Sequence, residues 1–130
     1  STTAQVSAGT DNTTAVSPAK LLGAFANSKA TNGYQKLPNG MIIQWGWSAI
    51  PSIPNGIGSS VEQTINFPIT FPNSCLSVNL TGTADIGDDG LEALNNAVYR
   101  DRNKVIVRSY RMAGSYNGTP GSVSWQAIGY

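Results

Sequence analysis

The 130-residue chain predicts a mainly β fold, a six-stranded antiparallel β-sandwich knob behind a short N-terminal helical or shaft segment. Three observations point there. Only 12% of the residues are charged, roughly half the usual share, which leaves little for long solvated helices. From residue 34 onward, apolar residues recur at every second position between turn signals, the period of a strand with one buried face. The last such run, Val123-Ser124-Trp125-Gln126-Ala127-Ile128-Gly129-Tyr130, ends flush with the chain, so a core strand is expected at a terminus with no tail beyond it.

Each element has a local reason. Ser1 to Thr14 is small, polar and rich in Thr, Ala and Ser; it buries too little apolar surface to order itself and reads as a tether. Ser17 and Pro18 supply an N-cap and a first-turn proline for a helix to Ala26, with Leu21, Leu22 and Phe25 on one face. So short a helix needs a packing partner. Asn27 to Gly33 reads as a loop, so residues 1–33 form a shaft remnant or linker and residues 34–130 the knob.

Pro38-Asn39-Gly40 turns the chain into a strand from Met41 to Ser48, on which Ile43, Trp45 and Trp47 share an apolar face. Core packing is expected for Trp45 and Trp125, whereas Trp47, beside the Pro51 to Gly58 loop, is placed nearer the rim. Val61 to Phe67 is the next strand; Ile65, Phe67, Ile69 and Phe71 stay apolar across Pro68, which marks an edge or a bulge. Leu76, Val78 and Leu80 alternate with Ser77, Asn79 and Thr81 in a third strand. An acidic loop is expected from Ala84 to Asn96. A hairpin follows, Ala97 to Asp101 and Lys104 to Met112 around Arg102-Asn103, then a loop from Ala113 to Gly121. A sandwich this small without disulfides gains from oligomerisation.

Composition excludes several functions. Eight basic and seven acidic residues leave a formal charge of +1, no general attraction to nucleic acid or anionic lipid. Arg100, Arg102, Lys104, Arg108 and Arg111 follow the acidic loop closely, and pairing with that loop, within or between chains, is expected of them rather than DNA binding. The single cysteine, Cys75, allows no intrachain disulfide. No apolar run is long enough to span a membrane and no signal-like segment opens the chain, so delivery by a carrier is expected rather than classical secretion.

The absence of histidine removes the usual general base and the commonest metal ligand, and no enzyme is expected. The remaining catalytic route, a glycosidase pair of carboxylates from Asp85, Asp88, Asp89 and Glu92, is disfavoured because all four sit close together on one loop. Asp85, Asp89 and Gly90 fit three positions of a calcium loop, but Gly87 and Asn96 stand where acids belong, so a solvated loop is preferred and no metal or cofactor is expected. For recognition, Tyr99 beside Arg100 and Asp101 suits a sugar, the ring on its C–H face and the polar groups on its hydroxyls; ordinary solvent-facing strand residues explain the pattern equally well. Tyr116 and Asn117, on a Gly/Asn loop, lean toward binding. With Trp47, Asp85 and Asp89 they complete the candidate set.

Gly33-Tyr34-Gln35-Lys36-Leu37-Pro38-Asn39-Gly40-Met41-Ile42-Ile43-Gln44-Trp45-Gly46, the Phe67 to Cys75 stretch and the closing Trp125-Gln126-Ala127-Ile128-Gly129-Tyr130 together resemble the Gp53-like C-terminal domain of bacteriophage tail fibres. Ala8 to Leu21 is similar to an element repeated in fibre shafts, and the Phe-Pro pair and Trp-x-Ala-Ile-Gly ending bear a looser likeness to H-type lectins, whose sugar contacts do not map onto this chain. The resemblance implies a homotrimer at the distal end of a virion tail fibre, made in the host cytoplasm and released by lysis. It implies binding to a host lipopolysaccharide or capsular glycan to mediate adsorption, with no nucleic acid and no membrane insertion. The rival readings are a structural trimerisation cap without recognition of its own and a depolymerase.

Overall fold

Alternation decides which side of each strand is buried, and two antiparallel sheets close over the result. The computed structural model describes residues 1–83, 92–113 and 121–130. Among them, helices α1 (Thr3–Ala8) and α2 (Pro18–Ala24) precede eight strands: β1 (Asn27–Ser28), β2 (Gly33–Lys36), β3 (Ile42–Ala49), β4 (Ser60–Asn66), β5 (Cys75–Thr83), β6 (Glu92–Arg100), β7 (Lys104–Ala113) and β8 (Ser122–Gly129). One sheet has the order β1-β2-β3-β8-β5, the other β4-β7-β6. The two strands beyond the expected six are β1, formed inside the stretch read as loop, and β2, which pairs with both β1 and β3. The 84–96 loop is also shorter than expected, because Glu92 to Asn96 already belong to β6.

The N-terminal segment is not the unstructured tether expected from its composition. Thr2 and Gln5 form a capping box for α1, Gly9 closes the helix in the left-handed region, and none of its residues is buried. Polar bonding therefore orders it, centred on Asp11, which accepts from the Thr13 backbone N–H (2.8 Å) and from the hydroxyls of Thr13 (2.7 Å) and Thr14 (2.8 Å). These bonds, the Thr13 N–H first among them, hold the Asp11 carboxyl at about 2 instead of the ordinary 3.8. They favour the ionised form, so their contribution is complete above the ordinary value and is lost as pH falls through about 2. The Thr13 amide resonance should accordingly titrate near pH 2; a midpoint near 3.8 would show that Asp11 does not organise this turn.

The core lies between the sheets. Ile42, Val123, Trp125 and Ala127 from one meet Ile65, Val105 and Val107 from the other, with Ile50, Ile53, Phe67 and Phe71 filling the ends. The Phe67 ring packs against Phe71 at 5.4 Å, nearly edge-on, and against Trp125 at 5.5 Å. As expected, the run through Pro68 marks an edge: β4 is an edge strand and ends at Asn66, one residue before the buried Phe67.

On β3 the sides are reversed from the sequence reading. Ile42, Gln44 and Gly46 face the core, whereas Ile43 and Trp45 are only partly buried and Trp47 is 50% exposed. Close packing selects this register. Gly46 pairs with Trp125, whose indole lies so near that any Cβ at position 46 would meet the ring. Gln44 is fully buried yet satisfied, donating to Ile69 O and accepting from Ile69 N, each at 2.9 Å, much as a backbone partner would. Trp45 finds cover elsewhere, over Gly33 of β2, with its indole N–H donating to Ala30 O (3.1 Å).

Candidate functional site

Two bulges open a cleft where the edge strands of the two sheets come together. On β5 the register against β8 shifts between Cys75 and Ser77; on β6 it shifts against β7 between Ala97 and Tyr99. The cleft between them has a volume of about 480 Å³ and is lined by Asn73 to Cys75 and Ala97 to Arg102. The β5 irregularity leaves the Cys75 and Leu76 carbonyls to Arg100, which donates to them through Nε (3.3 Å) and Nη2 (3.0 Å). Arg102 donates through Nη1 to Pro72 O (2.7 Å). At the back, the Asn73 and Ser74 amides donate to the Tyr130 main-chain oxygen at 2.7 and 2.8 Å.

Asp101 closes the β6–β7 turn, accepting from the Asn103 and Lys104 amides at 2.7 and 3.0 Å, and its other oxygen accepts from the Tyr99 hydroxyl at 3.3 Å. The Asn103 amide first, with that of Lys104 and the Tyr99 hydroxyl, holds its carboxyl below the usual range despite partial desolvation. Burial pushes the Cys75 thiol up, so at neutral pH this buried wall residue is a thiol.

Of the sequence candidates, Tyr99 and Arg100 line this cleft, together with Asn73, Ser74 and Arg102, which sequence patterning offered no reason to choose. Trp47 is elsewhere. It pairs with Ser124, and the cleft wall at Cys75 pairs with Gly129; five residues of β8, about 17 Å, separate the two levels. Asp85, Asp89, Tyr116 and Asn117 lie outside the described residues. The strand ends that flank them, Thr83, Glu92, Ala113 and Ser122, are at the Trp47 end of the sandwich, not the cleft end. Asn96, the last position of the calcium-loop frame, is a β6 residue paired with Arg108. Among the described residues no group of three or more Cys, Asp or Glu side chains could hold a metal, and no helix is long and apolar enough to cross a membrane.

The acidic loop expected to pair with the hairpin's basic residues lies largely outside the described residues; the partners seen among the described residues are others. Arg108 forms its ion pair with Glu62 on β4, while Arg100 and Arg102 bond main-chain carbonyls. Tyr110 and Glu62, as hydrogen-bond partners, raise the Arg108 pKa further.

The fold recurs in pyocin tail fibers. An N-truncated R1-type pyocin tail fiber is 25% identical with a TM-score of 0.65, the match covering 89% of this chain and 98% of that one. A C-terminal fragment of the R1 pyocin fiber of P. aeruginosa is 25% identical with a TM-score of 0.66, over 89% of this chain and 32% of that one. Among curated proteins, an uncharacterized protein of Methanocaldococcus jannaschii is 31% identical over 111 residues, 84% of this chain and 70% of that protein. The architecture is therefore that of a tail-fibre domain of the phage and pyocin type. Residues 36–130 match the gp53-like tail fiber protein C-terminal family, and the chain belongs to it.

Proposed function

We propose that the chain is the receptor-binding tip of a tail fibre, assembles as a homotrimer and attaches its particle to a host-surface glycan, lipopolysaccharide or capsule. The observation that carries the reading is the pairing of a fibre-domain fold with a polar cleft at one end, where Tyr99 offers a half-exposed ring beside two arginines. Aromatic faces flanked by hydrogen-bonding groups are how proteins hold sugars, and loops and strand ends on a rigid scaffold are where they do it.

What one chain leaves open supports trimerisation. The long strands β4, β5 and β6 are sheet edges, and outside the cleft Leu94 and Met112 are exposed on the β6–β7 side. Unpaired edges and clustered apolar surface invite association, and identical chains close it by symmetry. Light scattering during size-exclusion chromatography should give three times the 13.6 kDa of one chain. The fluorescently labelled chain should adhere to host cells and compete with whole particles. A stable monomer at micromolar concentration would remove the trimer, and an intact trimer without affinity for cells would leave only a structural cap.

A further inference from the structure

We infer that the cleft between the β5 and β6 bulges is a subsite for a saccharide bearing a compact anion, a carboxylate or phosphate on the sugar, with Arg100 and Arg102 as its cationic walls. The inference rests on the tip reading above and narrows the ligand from glycans at large to acidic ones.

The donors and acceptors of the cleft are unequal. Arg100 and Arg102 are each fixed by neutral main-chain carbonyls, which orient a guanidinium without cancelling its charge. Among the described residues the one ion pair joins Arg108 to Glu62, and neither cleft arginine has a carboxylate partner among them. Arg100 retains Nη1, and Arg102 retains Nε and Nη2, as donors without acceptors among the described residues. The nearby carboxylate, Asp101, is committed to the turn amides and to the Tyr99 hydroxyl. Its task is to hold the Tyr99 ring. A neutral sugar presents hydroxyls that need acceptors as well as donors; this cleft has unspent charged donors and a spent charged acceptor.

An anion resolves that imbalance. Arginine forks match carboxylate and phosphate geometry, and the resulting bonds are short and strong. Asn73 and Ser74, whose side chains bond nothing among the described residues, remain for the sugar hydroxyls, and the Tyr99 ring for its C–H face. A volume of about 480 Å³ suits one or two sugar rings.

The test is a titration of the isotopically labelled full chain, followed by amide resonances, with glucuronic acid, glucose 6-phosphate, glucose and inorganic phosphate. The two acidic sugars are expected to shift the amides of 73–74 and 99–102 at concentrations at least tenfold below any effect of glucose, and their ratio tells carboxylate from phosphate. Arg102→Gln should weaken the better acidic ligand about tenfold without moving the melting temperature, because it removes one exposed bond, to Pro72 O. Glucose acting as well as the acids would overturn the proposal, as would silence of these amides to all four probes. Inorganic phosphate acting as well as glucose 6-phosphate would reduce the cleft to an adventitious ion only. Host-cell adhesion separates the two levels. Wild-type adhesion with Arg102→Gln equally adhesive would overturn the cleft as receptor subsite and keep the tip reading. Acidic sugars bound in the cleft by a chain that adheres to no host cell would overturn the tip reading instead.

Discussion

Replacing Arg111 with alanine is expected to destabilise the domain by about 3 kcal/mol and to lower its melting temperature by roughly 10 °C. The Arg111 side chain is fully buried, donating through Nε to Pro54 O (2.9 Å) and through Nη2 to Ile53 O (2.8 Å). Its backbone ties the same loop, with the amide donating to Ser59 O and the carbonyl accepting from Gly58 N. The loop after β3 is thus folded around one guanidinium. Two effects oppose each other when that group is removed. Burying a cation carries a desolvation cost of several kcal/mol, which the substitution returns. Against this stand two carbonyls deprived of partners, each roughly 1–3 kcal/mol if still buried, and a cavity. Ile53 is only 1% exposed, so its carbonyl has no easy route to water, and the loss outweighs the relief. Arg111→Lys should recover only part of the loss, since one ammonium cannot reproduce a planar fork. Because the bonds are buried, the difference from wild type should persist at high salt. Equal melting temperatures for Arg111→Ala and wild type would show that the loop does not depend on this residue.

Position 111 also shows where sequence reading reaches its limit. Val105, Val107, Ser109 and Arg111 occupy one side of β7, the first two in the core, as a period of two allows. Nothing in that period says that an arginine at the end of the stripe points inward. The acceptors that make this tolerable lie more than fifty residues earlier in the chain. The core expectation for Trp45 fails for a related reason. The Ile43-Trp45-Trp47 face is the more apolar side of β3, yet the sandwich buries the other, because Gly46 admits the Trp125 indole and Gln44 substitutes for a strand against Ile69.

What depends on neighbours in sequence was legible. Ser17 caps α2 and Pro18 starts it; Gly40 takes φ 84° in the Leu37–Met41 turn; Asp101 closes the turn at Arg102-Asn103. Trp125 is in the core as its alternation indicated. The cleft was half legible. Tyr99 and Arg100 could be chosen because an aromatic beside a guanidinium has recognisable chemistry, but the two bulges that aim them are pairing defects between separate strands. No local pattern announces that Leu76 or Val98 will be the extra residue.

Replacing Phe71 with alanine should have the largest effect of any core substitution at the cleft end, about 3–5 kcal/mol. The side chain is fully buried, its ring meets Phe67 nearly edge-on, and a Cβ built at Gly129 would lie 2.6 Å from it. It is enclosed too closely on those sides for small shifts to fill the space it would vacate, which places the cost toward the upper part of that range. Function should follow stability here. The Phe71 amide donates to Arg102 O (3.0 Å), and Pro72, the next residue, accepts from the Arg102 guanidinium. Loosening Phe71 therefore releases both anchors of the Arg102 wall. Phe71→Leu, which keeps most of the volume, should lose much less stability and retain the cleft. Chemical denaturation would check the first part, and the amide spectrum of residues 99–102 the second. If Phe71→Ala lost the expected stability while those amides stayed in place, the core end and the cleft would be independent, and the support assigned to Phe71 would have to come from the β6–β7 turn alone.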